Sequence, residues 1–231
     1  AAWHLSREGR DVTIIGRGDR LMARQLDKEG SVFFLNVVEN AGLDVALNGN
    51  LDYIDESRAV LADGRAFDAG VVIFAAGIKS VYQLGQNLGL DCGRAIMVDD
   101  HMRTSLPDVY SAGDCAEYQG RTIGLWTAAM AQGAVAGANA AGGDQTYLPE
   151  QPSYLMNAMG TKIWSFGDIT AEDGISRKDG TTGRFAKLFF AEDKLVGAEL
   201  IGDTQPMVRL KKLVDAGAAR DEALALLAGL G

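Results

Sequence analysis

An α/β chain with a small α+β domain at its C-terminal end is what this sequence predicts, and three features carry the prediction. The opening residues read as helix and then strand, the middle of a βαβ unit. The run Gly70-Val71-Val72-Ile73-Phe74-Ala75 is apolar throughout, the pattern of a strand covered on both faces of a parallel sheet. Near the other end, Arg184 to Phe190 and Leu195 to Ile201 read as two strands joined by Ala191-Glu192-Asp193-Lys194, with a Leu/Ala-rich helical tail after Pro206.

Composition narrows the class. At 231 residues the chain can bury a core and form one to two domains, and 47% hydrophobic residues is ordinary for a globular protein. Twenty-nine Gly against four Pro point to tight turns and close backbone approaches rather than disorder. A net charge of −9 leaves no electrostatic footprint for nucleic acid or an anionic membrane. No apolar run reaches the roughly 18 residues of a membrane helix, and no secretion signal opens the chain, so a cytoplasmic protein is expected. Cys92 and Cys115 lie far apart and form no Cys-x-x-Cys pair, which argues against a disulfide scaffold or a zinc site and reads as two reduced thiols. His4 and His101 are the only histidines, and no metal site is expected.

In chain order, residues near Ala2 and Leu5 read as helix ending at Gly9, followed by the strand Asp11 to Ile15 and Gly16. Leu21 to about Ala41 reads as one helix, with Leu26, Val32, Leu35 and Val38 at three- and four-residue spacings and Gly42 as its stop. Short strands follow at Asp44 to Leu47, Leu51 to Ile54 and Arg58 to Ala62, and Asp63-Gly64 is a hairpin turn into Arg65-Ala66-Phe67. Ala95 to Val98 and Val109 to Ala112 are apolar segments, the second read as a buried strand. A small-residue helix runs from about Thr127 to Ala141, with Thr127 as its N-cap. Gly142 to Gln145, Pro149 and Pro152 mark a boundary.

The stretch from Thr104 to Ala116 is the most informative. Pro107 sets up a turn, Gly113 lets the backbone approach a neighbour closely, and Asp114 offers a carboxylate at the carboxyl end of the expected strand, where open α/β sheets bind ligands. Asp114 reads equally as an acceptor for a sugar-like hydroxyl or as a cap on the next turn.

This stretch resembles the second flavin-binding motif of the pyridine nucleotide-disulfide oxidoreductase superfamily, the flavoproteins with two dinucleotide-binding domains. Phe74-Ala75-Ala76-Gly77 resembles the family's link from nicotinamide domain to flavin domain, although Lys79-Ser80-Val81 departs from its usual continuation. Leu21-Met22-Ala23-Arg24-Gln25-Leu26-Asp27 is similar to the flavin module of assimilatory nitrite reductase and to NADH-dependent rubredoxin reductases. Lys187 to Phe190 and Val196 to Thr204 look like the small C-terminal domain of those same relatives.

The resemblance implies the cofactors FAD and NAD(P)H and three segments. Residues 1–76 would be an incomplete nicotinamide domain, 77–146 the second part of the flavin domain, and 147–231 the small C-terminal domain. Gly113 and Asp114 would meet the ribityl chain. Ala76 and Gly77 would let the crossing strand pass close to cofactor. Leu125, Trp126 and Thr127 would sit beside the isoalloxazine ring at a helix N-terminus. Trp126 reads alternatively as a core aromatic. Where the family carries an acidic residue for the adenosine ribose, this chain has Gly16 and then Arg17, which with Arg20 reads as a 2′-phosphate contact or as solvated charge. No catalytic acid or base is named, and Asp203 reads as a turn residue. The family's first flavin motif and its nicotinamide glycine loop would lie upstream of Ala1, so the chain alone is expected to bind FAD poorly. The implied function is NAD(P)H:acceptor oxidoreduction through flavin, to rubredoxin, oxygen or a nitrite-reducing partner. The alternatives are a disulfide reductase of the same superfamily and a non-catalytic redox sensor.

Overall fold

The computed structural model describes residues 1–149 and 153–228, and within them the chain begins as a βαβ unit. Helix α1 (Ala2–Arg7) gives way at Gly9, whose φ of 72° suits only glycine well, to strand β1 (Thr13–Ile15). β1 pairs in parallel with β2 (Asp44–Ala46) across helix α2 (Lys28–Asn40). The expected helix from Leu21 is shorter than its apolar spacing suggested. Residues 21–26 form turns, Met22 takes φ 54°, and Asp27 caps the helix by accepting from the Gly30 N–H at 2.8 Å. Leu26, fully buried, is held there by the turn, and Ser31 Oγ donates to Leu21 O at 2.8 Å. An antiparallel meander follows: β3 (Leu51–Ile54), β4 (Arg58–Leu61) and β5 (Ala66–Asp68), turning at Gly64 with φ 88°.

The described residues divide into two compact units, residues 1–72 with 153–228, and residues 73–149. At the division the sequence reading fails. Residues 70–75 form no strand, and Val71, Ile73 and Phe74 are 80%, 56% and 67% exposed. A buried parallel strand needs a partner on each side, and no described strand hydrogen-bonds to this run.

In the second unit, helix α3 (Gln83–Asn87) leads to β6 (Ile96–Val98), which pairs in parallel with β7 (Ala116–Tyr118). The strand expected at Val109 to Ala112 is instead a single bridge, Arg103 to Tyr110, and the paired strand comes after the motif. Helix α4 (Trp126–Ala140) closes the unit over Met102, Tyr118, Val135 and Tyr147. Asn139 holds its end: the amide donates to His101 O and Gln145 O, and Oδ1 accepts from the Gln145 N–H.

Beyond residue 153 the chain makes a five-stranded antiparallel sheet that belongs to the first unit. Its strands are β8 (Tyr154–Ala158), β9 (Thr161–Gly167), β10 (Asp173–Asp179), β11 (Arg184–Ala191) and β12 (Lys194–Ile201), in the order β10-β11-β12-β9-β8. Alternation along the strands gives two buried faces. Trp164, Phe166, Leu188 and Leu200 pack on α5 (Met207–Ala216) and α6 (Arg220–Ala228) through Leu210, Val214 and Ala223. Ile163, Phe185 and Ile201 on the other face pack on Phe34 and Val38 of α2. Asp203 accepts from the Gln205 N–H, a turn residue as expected. Pro152 and residues 229–231 lie outside the described residues.

Candidate functional site

Seven of the eight candidate binding residues lie in the unit of residues 73–149, and short contacts gather them. Residues 113–115 form a 3₁₀ turn between β6 and β7 in chain order, entered from extended Ala112. Gly113 takes φ 75° and lies flat against α4, since a Cβ there would stand 3.2 Å from Ala129 Cβ. Its N–H donates to Gln132 Oε1 at 2.8 Å, and Gln132 is buried. Gly124, φ 65°, likewise lies against Ile78, where a Cβ would come within 3.1 Å. The segment after Ala76-Gly77, the segment before Leu125, and the Gly113 turn thus meet around the first turns of α4.

The structure places Asp114 on the turn rather than at a strand end. Its carboxylate is exposed and, among the described residues, makes no hydrogen bond or ion pair, so it does not cap the following turn. Thr127 is not the N-cap. Leu125 occupies that position in extended conformation, no side chain accepts from the first turn, and Trp126 opens the helix. The N–H groups of this turn therefore point outward unpaired, with the positive end of a four-turn dipole behind them. Trp126 is 81% exposed, so it is no core aromatic, and Ala76, Gly77 and Thr127 are exposed as well.

These features fit a flat, hydroxylated and electron-accepting ligand. Uncapped amides suit a group on which negative charge develops, the free Asp114 carboxylate suits hydroxyls, and the exposed indole suits a ring face. Gln132 was not singled out in the sequence. Its signal was its place as one of two amide side chains, with Asn139, inside an Ala/Gly-rich helix. Glu117 was also missed: buried, it accepts from the Ala95 N–H at 3.1 Å and from the Arg94 N–H, and so fixes the loop before β6.

Arg17 belongs to the other unit, on the exposed loop after β1. Among the described residues it makes no hydrogen bond or ion pair, whereas Arg20 pairs with Asp19 at 3.1 Å. A second polar group in that unit was not foreseen. Glu199 of β12, Lys187 of β11 and Asp27 at the start of α2 come together, with Glu199 fully buried.

Comparison with known proteins places an α/β unit of this kind, followed by an antiparallel sheet, in the class of two-dinucleotide-domain flavoproteins. Residues 1–133 match the family described as pyridine nucleotide-disulphide oxidoreductase, and residues 152–218 match the rubredoxin NAD+ reductase C-terminal domain. The chain belongs to the pyridine nucleotide-disulphide oxidoreductase family.

It is 31% identical over 218 residues to the assimilatory nitrate reductase electron transfer subunit of Bacillus subtilis, covering 91% of this chain and 28% of that protein. It is 31% identical over 201 residues to the NADH-rubredoxin oxidoreductase of Clostridium acetobutylicum, covering 87% of this chain and 51% of the relative. Among solved structures, the NAD-dependent persulfide reductase of A. fulgidus superposes with a TM-score of 0.80 at 26% identity, over 96% of this chain and 47% of that one. The chain therefore spans about half or less of these relatives. Proteins of the family are oxidoreductases that use FAD and NAD(P)H. No helix among the described residues is long and apolar enough to cross a membrane.

Proposed function

We propose that this chain forms part of an FAD-dependent NAD(P)H oxidoreductase that passes electrons from a reduced nicotinamide, through flavin, to an acceptor such as a small redox protein. In this reading residues 1–76 serve the nicotinamide nucleotide, 77–146 the flavin, and 147–231 form the small domain. The observation that carries it is the unpaired first turn of α4 set beside the Gly113-Asp114 turn, with an unengaged carboxylate and an exposed indole at the same end.

Bound there, a flavin supplies hydride acceptance from NAD(P)H. The residues of this chain do the rest. Asp114 accepts hydrogen bonds from the ribityl hydroxyls. Gly113, pinned by Gln132, brings backbone close without a side chain in the way. The N–H groups of Leu125, Trp126 and Thr127 offer partial positive charge where negative charge develops, and Trp126 shields that edge from water. Ala76 and Gly77 leave room for close approach of the cofactor.

Anaerobic flavin reduction by NADH and by NADPH, in the gene product that carries this sequence, tests the proposal. Rapid bleaching of bound FAD with either donor is expected. Bound FAD that neither donor bleaches would replace the oxidoreductase with a redox sensor. The same assay reads Arg17, an exposed cation on the loop after β1. Arg17→Ala is expected to raise KM for NADPH by roughly 10-fold, one lost charged contact of about 1.5 kcal/mol, and to leave KM for NADH within about twofold. Equal effects on both donors would remove Arg17 from 2′-phosphate recognition.

A further inference from the structure

The face of the C-terminal sheet that packs on α2 is apolar on one side of a single polar row. Register sets Ser176 of β10 opposite Lys187 of β11, Lys187 opposite Glu199 of β12, Glu199 opposite Ser165 of β9, and Ser165 opposite Tyr154 of β8. Cross-strand partners point to the same face, so these side chains form a stripe beside the apolar row Phe185, Ile201 and Ile163.

The first turn of α2 sits on this stripe. The Asp27 N–H donates to Glu199 Oε2 at 3.0 Å, and Asp27 Oδ2 accepts from Lys187 Nζ at 2.6 Å. Lys187 also donates to Glu29 Oε2 at 3.0 Å, and Ser176 Oγ donates to Glu29 Oε1 at 2.8 Å. Lys178 of β10 stands at the rim, 3.6 Å from Glu29. The charges do not balance if every group is ionised: the three carboxylates of Asp27, Glu29 and Glu199 face one enclosed ammonium and one exposed one. Glu199 is 0% exposed, and its Oε1 has no hydrogen-bond partner among the described residues. A carboxylate so placed takes up a proton rather than remain charged.

We infer that the buried Glu199 carboxyl holds a proton beside the charged Asp27, and that in this neutral form it latches the start of α2 onto the C-terminal sheet by accepting the Asp27 N–H. Burial first, and then the Asp27 carboxylate beside it, push Glu199 from its ordinary 4.5 up to about 9, against the pull of the Asp27 N–H and Lys187. Burial would raise Asp27 as well, but the neighbouring Glu199 carboxyl, the Gly30 N–H and the Lys187 ammonium hold it below its ordinary value. Surroundings that drive two adjacent carboxyls in opposite directions leave the proton on one and the charge on the other. Glu199 is the acid. Asp27 carries the charge that Lys187 neutralises, and Lys187 is raised in turn by both its carboxylate partners against the opposing effect of burial. Asp27 ends the segment 16–26 that carries Arg17, so the latch also anchors the loop following β1.

The sign of the pH effect follows from linkage. A group raised above its unfolded value gives stability that is complete below about 4.5 and is lost as pH rises toward about 9. Thermal melting of the full chain across this range, with infrared detection of protonated carboxyl, tests the latch in wild type, Glu199→Gln and Asp27→Asn. Wild type is expected to show a protonated carboxyl at neutral pH and to lose stability on approaching pH 9. Glu199→Gln, which keeps a neutral donor, is expected to lose both signatures. Asp27→Asn removes the neighbouring negative charge and is expected to lower the Glu199 midpoint by about one to three pH units. Absence of a protonated carboxyl at neutral pH would overturn the inference. An unmoved midpoint in Asp27→Asn would show that burial acts alone, and would overturn the part assigned to Asp27. Should Glu199→Gln fail to fold, the wild-type infrared band and the Asp27→Asn midpoint decide.

Discussion

A glycine inside a helix ordinarily weakens it by up to about 1 kcal/mol relative to alanine, so Gly30 in the first turn of α2 needs a reason. A Cβ there would lie 2.6 Å from Glu199 Oε1 and 3.0 Å from its Cδ. Glu199 is fully buried, so its carboxyl would have to shift within the packed interior to make room. Gly30→Ala is therefore expected to cost about 1–3 kcal/mol, the range for overpacking, despite the propensity it gains. A lower midpoint in urea with an unchanged slope would report this loss. A higher midpoint would mean that the Glu199 carboxyl is free to swing. Single residues of this kind were hard to read from the sequence. Gly113 and Asp114 stood out because their motif is local, and their turn is held by residues within 20 positions. Glu199 could not stand out, because what makes it unusual is Asp27, 172 residues away.

Helices and strands were legible where the chain's own pattern determines them. The β11–β12 hairpin turns at Glu192 and Asp193, both at positive φ, and despite a register shift at Phe189/Phe190 it lies where expected. The run at 70–75 was misread because apolarity says that a segment wants cover, without saying which strand supplies it. The start of α2 was misread for the opposite reason: the apolar spacing through Leu26, Val32, Leu35 and Val38 was extended back to Leu21, but a capping Asp27 wins locally. At the same scale, α4 is a helix with one face packed and its N-terminal end bare. Trp126→Ala should leave the melting curve within about 0.5 kcal/mol of wild type, because 81% of the residue is already in water. It should nevertheless weaken FAD binding in the gene product that carries this sequence, by roughly tenfold for a lost stacking contact of about 1–1.5 kcal/mol. Titration of apoprotein by flavin fluorescence quenching reads this directly. An unchanged affinity would take Trp126 out of the cofactor site.

For the molecule as a whole, the important fact is that its two ends in sequence fold together. α2 presents Phe34 and Val38 to Ile163, Phe185 and Ile201 of the C-terminal sheet, and Phe33 meets Phe185 with ring centroids 5.4 Å apart. The apolar stripe of α2 is visible in the sequence, but a stripe names no partner, and the β1–β2 pair is too small to be its only cover. Burial is worth about 1.5–3 kcal/mol for each large apolar side chain, and a domain's whole stability is about 5–15 kcal/mol. Uncovering Leu26, Phe34, Val38 and Leu43 together therefore removes stability comparable with the total. A chain stopped at residue 146 retains every residue of the family match at 1–133, yet it is expected not to hold residues 1–72 in their native packing. It should bind a hydrophobic dye strongly and elute as aggregates, whereas the full chain does neither. A truncated chain that stays monomeric, excludes the dye and melts cooperatively would show that α2 and the β1–β2 pair carry their own core, and that the C-terminal sheet only rests on a finished surface.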